Sequence, residues 1–293
     1  DLLAKEGPGG VAATILNLPG VPAAELALHG SGTFADFRTD LALSTDNVPR
    51  IRGQLTTTAP PGADGRTGDR RFSLALNGDI SPLLSETYGD FFGTAVSLEA
   101  DGTHRVDGQV DLTRMVLKSP GVDLSGRLSL SRERLPLAAA LTVRLGLPSG
   151  HDLILPISGG RTTVKSGTLL LRFDGSKSND WTLAGSVAGF SQPDLAIAEL
   201  VIDGKGRVID LNAGSARIVG STSFSATGLA FRDPALAQAA GTTLTGRTVF
   251  SWQQGENLRL RQISAQAGDL ALSGDLALDV RGLDLALSGS LAL

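Results

Sequence analysis

The sequence predicts an all-β protein: an elongated, curled antiparallel sheet of many strands, with one or two short helices and an apolar groove on its concave side. Three observations predict it. Apolar and polar residues alternate along most of the chain, a glycine recurs in the middle of the apolar positions, and Asp-Gly pairs fall between runs. Period two gives a strand one apolar and one wet side, whereas a helix would spread the same residues around its circumference.

Taken in chain order, a weaker run places Leu26 and Leu28 before Gly30, and a clear one places Phe72, Leu74, Leu76 and Ile80 around Gly78. Val122, Leu124, Leu128 and Leu130 flank Gly126, and Trp181, Leu183 and Val187 flank Gly185. Weaker runs place Ile218 and Phe224 with Gly220, then Leu244, Phe250 and Trp252 with Gly246. Leu270, Leu272, Leu276 and Leu278 surround Gly274, and Leu283, Leu285, Leu287 and Leu291 surround Gly289. Weaker copies run Ile51-Gly53-Leu55 and Val106-Gly108-Val110-Leu112. These apolar positions are the candidate groove lining.

Asp64-Gly65, Asp101-Gly102, Asp174-Gly175 and Asp203-Gly204 are expected to be tight hairpin turns, because glycine supplies positive φ. Ser81 and Pro82 are expected to start a short helix reaching Tyr88. Asp233, Pro234 and Gly241 mark the cap, start and stop of another. No Pro- or Ser-rich linker is long enough to separate domains, so 1–293 reads as one segment. The abrupt start at Asp1 and the end at Leu293 within an alternating run are expected of a piece of a larger protein.

A sheet with one apolar face must bury it on a second sheet, in a closed barrel, or around a ligand. Glycine at the centre of so many runs is expected to leave a thin floor and a bend, hence a leucine-lined trough. Such a trough suits acyl chains, each methylene favouring burial by about 0.8 kcal/mol. The same alternation also serves an ordinary sandwich or barrel.

Composition narrows the chemistry. There is no Cys, which removes disulfides and thiolate metal sites, and the three His have no partner at helical metal-ligand spacing. A net charge of −4, with basic residues scattered among acids, opposes duplex nucleic acid as a partner. Gly175-Ser-Lys177-Ser178 lacks the first glycine of a phosphate loop, and Gly146-Leu-Pro-Ser149-Gly150 lacks nucleophile-elbow spacing. No enzyme and no cofactor are expected.

The stretches Gly30 to Phe37 with Asp40-Leu-Ala-Leu-Ser, Gly78 to Leu84 leading to Tyr88 and Gly93, and Arg247 to Gly255 with Leu258 to Ile263 carry a resemblance. So do the closing Leu-Ser-Gly-Asp-Leu and Leu-Ser-Gly-Ser-Leu units. The chain resembles the periplasmic part of the translocation and assembly module inner-membrane subunit (TamB) family, within the AsmA-like proteins. That resemblance implies a β-taco fold, phospholipid acyl chains as ligand, and a location in the periplasm of a Gram-negative bacterium. It implies an inner-membrane anchor and an outer-membrane partner of the Omp85 class, contacted through a region outside this chain. It implies a bridge for phospholipid transport between the membranes. The alternative is a chaperone-like scaffold that pairs an edge strand with incoming outer-membrane proteins.

Overall fold

The structure is a computed structural model that describes residues 1–33, 35–60, 68–157, 161–209, 216–253, 255–279 and 286–292. It is an all-β chain of antiparallel strands with three short helices among the described residues. The chain divides into two units, Asp1–Pro136 and Leu137–Leu293.

The first unit contains β1 (Leu2–Glu6), α1 (Val11–Ile15), β2 (Ala24–Gly32), β3 (Asp36–Thr45) and β4 (Val48–Thr58). It continues through β5 (Arg70–Gly78), α2 (Glu86–Phe92), β6 (Val96–His104), β7 (Val110–Lys118) and β8 (Val122–Leu130). Each strand pairs antiparallel with the next in sequence, from β1 to β8. Among the described residues β1 and β8 do not pair with each other, so this sheet is open and not a closed barrel.

The second unit contains β9 (Pro136–Leu145), β10 (Leu153–Leu155), β11 (Thr162–Val164), β12 (Ser166–Asp174), β13 (Asp180–Gln192) and β14 (Leu195–Ile209). Then come β15 (Arg217–Thr227), β16 (Ala230–Phe231), α3 (Pro234–Ala240), β17 (Thr243–Gln253), β18 (Leu258–Ala267), β19 (Leu270–Asp279) and β20 (Ala286–Ala292). The ladder runs β9–β12–β13–β14–β15–β17–β18–β19–β20. The β10–β11 hairpin joins one end of β13, and β16 joins one end of β14.

Turn chemistry corrects some of the sequence reading. Asp174-Gly175 does turn, with Lys177 and Ser178 N–H groups donating to Asp174 O, each at 3.0 Å. Asp101-Gly102 and Asp203-Gly204 do not: both lie inside strands, β6 and β14. Gly102 faces Phe72 across the ladder and Gly204 faces Leu183, so these glycines make room for a neighbour's side chain. Asp64-Gly65 lies outside the described residues. The weak copy at Val106-Gly108 proves to be the β6–β7 turn, and its strand begins only at Val110. A turn that glycine did not mark is Asp46-Asn47, where φ values of 50° and 63° join β3 to β4 through two residues.

The α3 expectation holds in detail. The Asp233 carboxylate accepts from Ala235 N at 2.8 Å and Leu236 N at 3.0 Å, Pro234 opens the helix, and Gly241 ends it at φ 65°. The other segment divides. Ser81–Leu83 forms a 3-10 turn, and α2 begins only after Ser85. Beside it, Arg50 Nε donates to the buried Thr45 hydroxyl at 2.7 Å, and Asp79 accepts from Ser81 N at 3.0 Å. These bonds fix the strand ends next to the 3-10 turn.

The polar face carries cross-strand ionic pairs. Ser73, Asp101, Arg114 and Glu99 form one group, and Arg105 Nε meets Asp111 at 2.6 Å. The Ser73 hydroxyl, assisted by Arg114, outweighs desolvation and holds the Asp101 carboxyl below its ordinary range. Burial opposes the same shift in Asp111, but hydrogen bonds from Gln109, Ser129 and Arg105 outweigh it. A lowered folded-state pKa adds stability that is complete above the unfolded value and is lost as pH falls through the folded one. Stability is therefore expected to decline once pH drops below about 4. Asp111→Asn should flatten that decline in acid-denaturation curves, and an unchanged curve would contradict this account.

Candidate functional site

The ladder registers bring the apolar positions of successive strands into line. In the first unit one row reads Leu2, Leu28, Leu41, Gly53, Leu76, Leu98, Leu117 and Leu124 across eight strands. The next reads Gly30, Thr39, Leu55, Leu74, Ala100, Met115 and Gly126. A third includes Phe72, Gly102, Leu112 and Leu128, and a fourth carries Leu26, Leu43, Ile51, Gly78 and Val96. A slip of one residue in any strand would have turned its leucines to the other side.

The second unit repeats the arrangement. Val143, Leu169, Gly185, Ile202, Phe224, Gly246, Ala265 and Leu272 form one row. Phe173, Trp181, Gly206, Gly220, Phe250, Leu260 and Leu276 form another. Leu183, Val187, Ile218, Trp252 and Leu278 belong to the same face by alternation with these. Leu287 and Leu291 hold register positions opposite Leu278 and Gly274. Leu283 and Leu285 lie outside the described residues. Ile80 departs from its row, because β5 ends at Gly78 and the chain turns there into Ser81–Leu83.

The face is apolar yet only partly covered. Of the sequence-derived lining residues whose side chains are described, Val122 and Trp181 are buried and every other is half-buried. A dry sandwich core would bury large residues such as Leu28, Leu74, Leu76, Leu98, Leu117 and Leu124 in full. In the first unit full burial falls mainly on small residues such as Ala13, Ala59 and Ala100 and on strand-end positions such as Val96 and Val122. In the second unit it also reaches large residues, including Phe173 and Trp181 on the face itself.

One margin of the face is sealed by protein. Ala240 of α3 joins Ile197, Ala226, Leu229 and Ala267 in a closed cluster. Leu244 and Leu270, which alternation places in the lining, pack against that cluster together with Leu200. Here α3 covers the adjoining ends of β14, β15, β17, β18 and β19.

The central glycines do not form a bare floor. Gly102 lies under the Phe72 ring, whose Cζ would sit 2.7 Å from an added Cβ. Gly53 lies under Leu76, Gly185 under Leu169, and Gly246 under Phe224. Trp181 spans two of them, since its Cζ2 covers both Gly206 and Gly220. It reaches Phe250 with ring centroids 5.1 Å apart and donates from Nε1 to Val219 O at 3.2 Å. The glycines are seats for large cross-strand partners, so the lining is continuous hydrocarbon.

Sequence reasoning missed several lining residues: Leu41, Leu43, Leu98, Leu117, Leu169, Ile202 and Leu260. The alternating run Val96-Ser-Leu98-Glu-Ala100 was the available signal for β6. In β14, Val201 and Ile202 are both apolar, which hides the alternation.

Fold and face together define a class: antiparallel sheets with one apolar side that is mostly half-covered and is sealed at one margin. No protein-family model, curated protein or solved structure matches the chain. Among the described residues, no helix is long and apolar enough to cross a membrane.

Proposed function

We propose that the apolar faces shelter lipid acyl chains, and that the chain is a non-catalytic segment of a periplasmic bridge carrying phospholipid between the inner and outer membranes. The observation that supports this reading most is the half-buried row from Leu28 to Leu124, unbroken across seven strands. A uniform leucine lining has no convergent polar groups to fix one orientation. It therefore fits long, featureless hydrocarbon, each methylene contributing about 0.8 kcal/mol on leaving water. The resemblance to the TamB family supplies the cellular setting, including an inner-membrane anchor and an Omp85-class partner outside this chain.

Native mass spectrometry and organic extraction of the purified chain test the reading. Co-purifying phospholipid, exchangeable with vesicle lipid, is the expected result. A chain that carries none and takes up none from vesicles would refute it.

A further inference from the structure

The helix-free ends of β6, β7 and β8 carry a hollow that the apolar face alone does not explain. Its lining includes Val110 and Leu130, His104, Gly108, Arg132 and Arg134. Val110 pairs directly with Leu130, and His104 with Val110, so the hollow begins where the apolar rows of the first unit end. Two arginines thus stand at the margin of a hydrocarbon surface.

Both arginines are set by the backbone around them. Gly108 has φ 92°, and a Cβ there would lie 2.8 Å from Arg132 Cγ, so the Arg132 stem rests on the bare glycine. Arg134 has φ 64° in a turn closed by Arg134 N to Ser131 O at 2.9 Å and Ser131 N to Leu135 O at 2.8 Å. Leu135, only 3% exposed, anchors that turn.

The charge of the hollow is not cancelled internally. Arg105 nearby is committed to Asp111 at 2.6 Å. Asp107, the acid in the hollow, accepts from Gln109 N at 2.9 Å. Neither Arg132 nor Arg134 makes an ion pair among the described residues. Within the lining, two guanidiniums stand against one carboxylate, Asp107, while Glu133, between them in sequence, is not part of it. Guanidinium geometry matches phosphate oxygens in pairs.

We propose that this hollow binds the phosphate group of an acyl lipid whose chains lie on the adjoining apolar face. The inference rests on the acyl-chain reading above and adds the headgroup chemistry. A lipid phosphate and free inorganic phosphate share the chemistry, and the probes below separate them.

Calorimetry on the delipidated full chain uses dioctanoyl phosphatidic acid, dioctanoylglycerol and inorganic phosphate. Wild type should bind the phosphatidic acid about tenfold more tightly than dioctanoylglycerol, as charge-assisted phosphate contacts imply. R132Q/R134Q should erase that preference while leaving dioctanoylglycerol binding unchanged, which also shows that the apolar face is intact. A preference that survives R132Q/R134Q overturns the inference. Equal binding of both lipids by wild type overturns it too, while sparing the acyl-chain reading. Inorganic phosphate binding as tightly as phosphatidic acid, with no binding of dioctanoylglycerol, overturns both and leaves a free-phosphate site.

Discussion

Trp181→Ala is expected to destabilise the second unit by about 3–5 kcal/mol, the range for removing a large buried aromatic. Trp181 is 5% exposed, covers Gly206 and Gly220, contacts Phe250 and donates its Nε1 hydrogen to Val219 O. Its loss leaves a void over two glycines that cannot fill it. Gly220→Ala attacks the same packing from below, because the added Cβ would press into Trp181 Cζ2 and lie 2.6 Å from Lys205 O. Overpacking of this kind costs about 1–3 kcal/mol. The two effects should be far from additive, since removing the indole removes one of the clashes. Urea denaturation of both single variants and the double variant measures this. Strict additivity would show that Trp181 and Gly220 do not depend on each other.

Leu98→Asp separates an open apolar face from a closed core. Leu98 is half-buried in the middle of the long row, between Leu76 and Leu117. If nothing covers that row in the free protein, the carboxylate stays hydrated and the loss is about 1–2 kcal/mol of partial apolar burial. Acyl binding should then fall by at least about tenfold, because a bound chain would have to desolvate the charge. Thermal unfolding combined with lipid uptake from vesicles reads both effects. An unfolded Leu98→Asp protein would mean that the row is an interlocked core.

The strands were legible in the sequence wherever large apolar residues alternate with small or polar ones. β5, β8 and β19 are cases, with Phe72-Ser-Leu-Ala-Leu76 the plainest. Helix α3 was legible because Asp233, Pro234 and Gly241 each act on the backbone locally. What glycine does was not. The same Asp-Gly pair turns the chain at Asp174-Gly175 and stays extended at Asp101-Gly102. The difference lies in Phe72, distant in sequence and directly opposite in register. The arginine hollow was hidden for the same reason. Arg132-Glu-Arg134 looks like scattered charge until the β6–β7 turn brings Gly108 beneath Arg132.

All the strand pairing described in the first unit joins strands that follow one another in the chain. Growth of such a molecule is simple. Duplicating one hairpin widens the sheet by two inter-strand spacings, about 9–10 Å, and asks no distant residue to change. Under the bridging role proposed above, reach is decoupled from affinity: a wider gap calls for more copies of an existing module and no new surface.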